Sequence, residues 1–292
     1  MMTYKQSPIK GVPVTKVNRN QRLAAMDKLA MEEPLEIRLA FGEGVNRTVR
    51  NISVTMRTPG SDAELATGFL FTEGIIKNHS DLASVAHCFI ACAENKENVI
   101  QVELRDTATP ELKNTERNFY TTSSCGVCGK GSIDAIKSVS AFNPGQNNDF
   151  FISRDVLLEL PDRLRLYQDV FDATGGLHAC ALFNTSGELL LLREDVGRHN
   201  ALDKLIGAAL EKNWLPLKNA VLLLSGRASF ELIQKAAMAG ISIIGAIGAP
   251  SSLAVELATE FGITLVGFLR QQRFNIYSMD ERILLPGYEN QN

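Results

Sequence analysis

Ala220-Val-Leu-Leu-Leu224 and Ile241-Ser-Ile-Ile-Gly-Ala-Ile247, separated by a run of helical character over residues 229–239, decide the fold. Short apolar, β-rich runs read as buried strands, and amphipathic runs between them read as crossover helices. The alternation continues through a helix over 251–261 into a strand over 263–268, which predicts a βαβαβ core with parallel strands. Upstream, a helix is predicted over 201–212, and strands over 179–183 and 188–193 flank the turn formers Asn184-Thr-Ser-Gly187 as a hairpin. The first half has a different character. Leu35-Glu-Ile-Arg-Leu39 and the run 49–56 have strand composition on either side of Gly42-Glu-Gly44. Ser61 and Glu64 fit a capping box ahead of a helix that carries Leu65, Phe69 and Leu70 and stops at Gly74. Further strands are expected over 85–91, 99–104 and 118–122. The fold class is therefore α/β, with a smaller, mostly antiparallel α+β subdomain at the N-terminal side. Residues 1–20, polar and without apolar period, are expected to form a flexible arm. The N-terminal subdomain is assigned to 21–118 and the C-terminal α/β domain to 119–292.

A chain of 292 residues with 45% hydrophobic side chains can bury a full core. The formal net charge of −3, from 30 basic and 33 acidic side chains interspersed along the chain, provides no overall field for a nucleic acid or an anionic membrane. No stretch approaches the ~20 apolar residues of a membrane span, and the first residues lack the apolar core of a secretory signal, so a cytoplasmic location is expected. Five cysteines, at positions 88, 92, 125, 128 and 180, make an odd set. Without an export signal they are expected to be reduced thiols rather than a disulfide framework.

The most reactive candidates lie in Ser123-Ser-Cys-Gly-Val-Cys-Gly-Lys-Gly131. A short helix is expected to follow, with Ser132 as N-cap and Ile133, Ile136 and Val139 on one face. Free amides at a helix start and the Lys130 ammonium both favour thiolate over thiol at Cys125 and Cys128. The surrounding glycines leave bare backbone that a large ligand or partner protein can approach. Four readings compete: sulfur handling, a structural zinc site completed by Cys88 and Cys92, a thioredoxin-like redox pair, and a zinc deaminase built from Cys92, Glu94, Cys125 and Cys128. Against zinc, Cys88 and Cys92 lie in an apolar run that suits packed small hydrophobes. Against the redox pair, Ser124 rather than an aromatic residue precedes Cys125. Against the deaminase, position 124 is not proline and residues 94–98 read as a turn rather than a helix start.

Parallel strands gather their carboxyl ends on one edge, where open α/β sheets bind ligands. Ser225-Gly-Arg-Ala-Ser229, Ala249-Pro-Ser-Ser252 and Phe268-Leu-Arg-Gln-Gln-Arg273 fall there, with hydroxyls, helix starts and guanidinium groups suited to phosphate. Ordinary capping and surface ion pairs would account for any one of these residues alone. Glu194-Asp-Val-Gly-Arg-His-Asn200 packs more polarity into a strand-to-helix connection than a turn requires, which points to recognition. His199 within it, and His178 after Thr174-Gly-Gly176, are each either a ligand contact or a structural hydrogen-bonding group.

The Cys125 loop, Thr174-Gly-Gly-Leu-His178, the string 194–204, Ser225-Gly-Arg-Ala-Ser-Phe-Glu231 and Thr264-Leu-Val-Gly-Phe-Leu-Arg270 together resemble the formate dehydrogenase accessory sulfurtransferase family, FdhD. The resemblance runs in order from about Leu35 to Tyr277. It implies a cytidine-deaminase-like three-layer core without catalytic zinc. It implies that Cys125 accepts sulfur from a cysteine desulfurase as a persulfide, assisted by Cys128. Delivery would be to the molybdenum of a bis-molybdopterin guanine dinucleotide cofactor needed by formate dehydrogenase. By the same resemblance Phe268, Leu269, Arg270, Gln271, Gln272 and Arg273 contact the cofactor; Ser225 and Arg227 of the strand-end edge, with His199, are expected to bind it as well. Gln271 and Gln272 depart from the family pattern. A homodimer is implied as well, and a cofactor chaperone that only clasps its cargo stands as the binding-protein alternative.

Overall fold

The structure, a computed structural model, describes residues 7–88, 98–112, 142 and 149–285. In chain order its strands are β1 (Ile9–Asn18), β2 (Gln21–Ala30), β3 (Glu33–Phe41), β4 (Thr48–Arg57), β5 (Leu82–His87), β6 (Val99–Leu104), β7 (Ile152–Ser153), β8 (His178–Phe183), β9 (Leu189–Asp195), β10 (Val221–Leu224), β11 (Ile243–Ala246), β12 (Thr264–Arg270), β13 (Arg273–Ser278) and β14 (Ile283–Leu284). Its helices are α1 (Asp62–Thr72), α2 (Arg154–Arg165), α3 (Asp169–Thr174), α4 (Arg198–Glu211), α5 (Phe230–Met238) and α6 (Ser252–Glu260).

The expected βαβαβ run is β10-α5-β11-α6-β12, with β10, β11 and β12 parallel. It sits in a six-stranded sheet of order β13-β12-β11-β10-β8-β9, closed on both sides by antiparallel strands. Side chains alternate across a strand, so its two faces feed two cores. Leu222, Leu224, Ile244 and Leu265 pack with α4, α5 and α6, whereas Val221, Leu223, Ile243 and Val266 pack with Leu157, Leu160 and Leu164 of α2. All are fully buried, each contributing ~1.5–3 kcal/mol of transfer free energy. The β8–β9 turn forms as expected, with Gly187 at φ 76° and the Asn184 side-chain oxygen accepting from the Ser186 and Glu188 amides.

A second sheet of order β4-β3-β6-β5 is antiparallel except for β3 against β6. Leu35, Ile37 and Leu39 of β3 and Ile100, Val102 and Leu104 of β6 join α1 in the same apolar cluster that holds α4, α5 and α6. The two halves thus share one core, and the division expected after residue 118 falls outside the described residues. The strand expected over 85–91 is β5 at Leu82–His87, and the one expected over 118–122 lies outside the described residues.

Helices α1 and α4 cross at two glycines. A Cβ added at Gly68 would fall 1.8 Å from the Asp203 carbonyl oxygen, and one at Gly207 would fall 1.9 Å from the Glu64 carbonyl oxygen. Backbone therefore meets backbone with no room for a methyl group.

Several expectations need correction. Residues 9–18 form β1, paired along its whole length with β2, instead of a tail without structure. Half-buried Val12 and Val14 alternate with exposed neighbours, a period of two that polar interruptions obscure. A boundary after residue 20 divides this hairpin at its turn, since Asn18 pairs with Gln21. The Ser61–Glu64 capping box does not form. Ser61 is left-handed at φ 56° and makes no side-chain cap bond, and Glu64 binds Arg193 through both carboxylate oxygens. An ion pair across elements outcompetes the local cap. Helix α4 starts at Arg198, three residues before the expected position, so Arg198, His199 and Asn200 are its first turn rather than a connection. Helix α2 has no counterpart in the sequence reading, because Pro161, a residue that ordinarily ends helices, lies inside it.

Gly68→Ala and Gly207→Ala are each expected to lower stability by about 3 kcal/mol through overpacking, read as a shift in the urea midpoint without a change in slope. An unchanged midpoint would show that the helices can separate without cost.

Candidate functional site

The carboxyl ends of β10, β11 and β12 open onto one edge of the central sheet, as the sequence predicts. Main-chain bonds lace the three segments that leave them. Gly248 N–H donates to the Gly226 carbonyl (3.0 Å), Ala228 N–H to Ala249 (3.2 Å), Ser251 N–H to Ala228 (3.0 Å) and Phe268 N–H to Gly248 (3.1 Å). This closeness needs bare backbone. A Cβ at Gly267 would sit 2.7 Å from Pro250 Cδ, and one at Gly248 would sit 3.0 Å from the Arg227 nitrogen. The edge is consequently a rigid floor.

Phe268 has φ 53°, a backbone region that bulky side chains rarely occupy. It lies in a β-bulge, because Gly267 pairs with Asn275 and Arg270 with Arg273, setting Phe268 and Leu269 opposite Phe274 alone. The six residues expected as a loop are thus the end of a hairpin, turning at Gln271 and Gln272. Phe268 is half-buried, Arg270, Gln271, Gln272 and Arg273 are exposed, and Leu269 is fully buried in the second core. Leu269 therefore offers a ligand its main chain only. The Gln271 amide donates to Asp162 (2.8 Å), which occupies it.

Across the floor, Ser225 is tied to β8. Its hydroxyl accepts from the Ala179 N–H (2.8 Å), and its own N–H donates to the Ala179 carbonyl (3.0 Å). Arg227 is exposed. His199 Nε2 lies 2.7 Å from a Glu231 carboxylate oxygen and 3.3 Å from the Ser229 hydroxyl. Burial alone would push the Glu231 carboxyl up, but the hydrogen bond and charge of His199 hold it below the usual carboxylate range. His178 stands beside Gly226, where a Cβ would come 3.2 Å from its Nδ1. Burial pushes its imidazole down, and Arg198, His199 and Arg227 push the same way against Asp195.

The 194–200 segment divides its duties. Glu194 accepts from the Phe171 N–H (3.3 Å), and burial pushes its carboxyl up. Asp195 is completely buried and bound to Lys204 Nζ at 2.7 Å. Its two oxygens also accept from the amides of Thr58 (3.1 Å) and Gly197 (2.8 Å) and from the Asn200 side chain (3.2 Å). Lys204 donates to the Thr58 carbonyl (2.8 Å), and Asn200 donates to the Met56 carbonyl (2.7 Å). Asp195, Asn200 and Lys204 therefore clamp the end of β4 to the central layer; only Arg198 and His199 remain for a ligand. Arg198 and Glu231 are the site residues that sequence reasoning left unassigned. Their signal was a basic pair directly after Gly197, and an acid two residues after Ser229.

Cys92, Glu94, Cys125, Cys128 and Lys130 lie outside the described residues. Cys180 is buried in β8, and burial pushes its thiol far up. Cys88 is half-buried, with its sulfur 3.6 Å from the Gln101 side-chain oxygen. Among the described residues no helix is long and apolar enough to cross a membrane.

A mixed α/β chain with three parallel strand ends gathered on one edge is the class that these features define. Residues 30–284 match the model of the FdhD/NarQ family, and the chain belongs to that family. It is 53% identical over 274 residues to a protein of Mycolicibacterium paratuberculosis named sulfur carrier protein FdhD, covering 92% of this chain and 97% of that relative. A protein of Sulfurisphaera tokodaii with the same name is 42% identical, with 94% and 99% covered. A crystal structure from Desulfotalea psychrophila, described as a formate dehydrogenase accessory protein, superposes with a TM-score of 0.70 at 24% identity, covering 95% of this chain and all of that one. That likeness bears on the fold.

Two outcomes are expected. Lys204→Met leaves the Asp195 carboxylate buried without its cation and should cost about 3–5 kcal/mol in chemical denaturation, part of which Asp195→Asn in the same chain restores. His178 takes up a proton less readily when folded than unfolded, so its contribution to stability is complete above the ordinary histidine pKa of 6.5 and is lost as pH falls below it. The melting temperature of His178→Gln should accordingly fall less than that of the wild type between neutral and mildly acid pH.

Proposed function

We propose that this chain is a sulfur carrier that accepts a persulfide sulfur on Cys125 and passes it to the molybdenum of a bis-molybdopterin guanine dinucleotide cofactor destined for formate dehydrogenase. The observation that carries the reading is full-length kinship with proteins named sulfur carrier protein FdhD, at about half of all positions identical. In the first step the Cys125 thiolate attacks the outer sulfur of a desulfurase persulfide. A new S–S bond forms at Cys125, and the donor cysteine leaves as thiolate. In the second, the outer sulfur bonds to reduced molybdenum, which supplies two electrons, and Cys125 departs as thiolate. Cys128 assists or relays the sulfur.

The rigid strand-end edge supports the cargo half of this reading. Arg270 and Arg273 reach solvent with fork geometry suited to phosphate, and Phe268 offers a half-buried ring beside them. The deaminase-like ancestry of the core, a cytoplasmic setting, a homodimer and a transient complex with a cysteine desulfurase belong to the same proposal. A zinc deaminase using Cys92, Glu94, Cys125 and Cys128 is not favoured, because the curated relatives that cover the chain are named sulfur carriers.

The test is mass spectrometry after incubation with a cysteine desulfurase and free cysteine. Wild type should gain a sulfur atom at Cys125, and Cys125→Ala should gain none there and leave formate dehydrogenase inactive in cells. A Cys125→Ala variant that supports full formate dehydrogenase activity would sink the transfer role and leave the chaperone reading.

A further inference from the structure

The β1–β2 ribbon has no strand partner in its own chain. Each strand runs ten residues, and the Met31 N–H closes the base by donating to the Pro8 carbonyl (2.8 Å). Among the described residues no other strand pairs with either edge, and the main support from the body is α3 against β2. Two strands by themselves are marginally stable in water. Residues opposite one another share a face, so Gly11, Pro13, Thr15 and Val17 lie with Arg22, Ala24, Met26 and Lys28. All eight are exposed, Val17 at 68% and Met26 at 65%. The other face is half-buried at Val12, Val14 and Ala25, but Leu23 near its tip is 67% exposed. Charge also separates ribbon from body. Residues 9–30 hold five basic side chains and one acid, whereas the rest of the chain holds 25 basic and 32 acidic ones.

We infer that the ribbon is an exchanged arm: in a pair of chains, the fully exposed face of each ribbon lies on the acidic body of the other copy. Opposite charge favours that placement. The same charge disfavours ribbon against ribbon. In a hairpin with a two-residue turn the flanking pair, Asn18 and Gln21, is hydrogen-bonded, so Arg22, Ala24, Met26 and Lys28 turn their main-chain groups outward. Joining two such edges about Ala25 would set Arg22 opposite the partner subunit's Lys28, like charge on like. A lipid surface takes one side only, whereas exposed apolar side chains stand on both faces here. A nucleic-acid backbone engages the basic groups but leaves Val17, Ala24 and Met26 uncovered. At ~3.3 Å per residue the ribbon is ~33 Å long and ~10 Å wide. Two such faces, each laid on the other body, bury on the order of 1,300 Å² in total, within the range of about 1,200–2,000 Å² for a stable interface. This rests on the homodimer of the proposed function and deepens it by naming the contact.

Sedimentation velocity of the full chain across a dilution series tests the arm. Wild type should be dimeric at micromolar concentration. Val17→Lys with Met26→Lys should raise the dissociation constant about 100-fold, and Arg22→Glu with Lys28→Glu about 10-fold. Both double variants should keep the wild-type far-ultraviolet dichroism, because the four positions are exposed. A second measurement needs neither of them. Thr15→p-benzoylphenylalanine, in chains mixed as light and heavy isotope forms, should photo-cross-link between the forms to a peptide outside residues 9–30. The inference is overturned by a monomeric wild type, including one whose ribbon binds duplex DNA or phosphatidylglycerol vesicles. Mixed-isotope cross-links confined to ribbon against ribbon overturn it as well, as do dimers that both double variants hold as tightly as wild type. That last outcome would leave the homodimer standing without this contact, and persulfide loading of Cys125 in the same variants reports separately on the sulfur-carrier reading.

Discussion

The contact between α1 and α4 at Gly68 and Gly207 is the constraint on which the rest of this protein depends. Because backbone touches backbone there, the second sheet and the central layer lie near enough to share one apolar core. Polar clamps follow from the same closeness. Asp203 accepts from Thr72 of α1 (2.8 Å) and from Lys235 of α5 (3.0 Å), and Asp195 and Lys204 bind the main chain after β4. Buried ions are tolerable only when every lone pair and proton is engaged, and here the engaging groups come from elements that the glycine crossing brings within reach. Burial pushes Asp203 up while its lysine and threonine partners pull it back, and Lys235 is held above its ordinary value against burial.

This clamped interior gives the strand-end edge its firmness. The segments leaving β10, β11 and β12 are bonded to one another through main-chain groups, and Phe268 is held in a left-handed conformation that a loose loop would relax. Any ligand received there meets a floor already in shape, so little ordering is left to the moment of binding. Sulfur exchange, by contrast, needs a thiol open to solvent.

The central sheet was legible because its strands are short apolar runs and its crossovers amphipathic, and both periods survive uninterrupted between 220 and 268. The hairpin of β1 and β2 was not. Its strands leave Val17, Leu23 and Met26 exposed, so no buried face writes an apolar period into the chain. The 194–204 string was readable as a signature but misleading as a loop: its polarity serves mostly the clamp, because buried Asp195, Asn200 and Lys204 answer main-chain groups of residues more than a hundred positions away. Long-range partners of this kind leave no local spacing to detect. Arg198 and Glu231 escaped for the same reason, since only the folded sheet edge brings α4 and α5 starts together.

Cys180 lies on β8, which pairs with both the edge strand β9 and the parallel strand β10 of the central sheet. Its sulfur is sealed from solvent and protonated, so this thiol is closed to exchange while the chain is folded. Only rupture of the sheet exposes it, and a thiol reagent reaching this position therefore keeps time on global opening of the molecule.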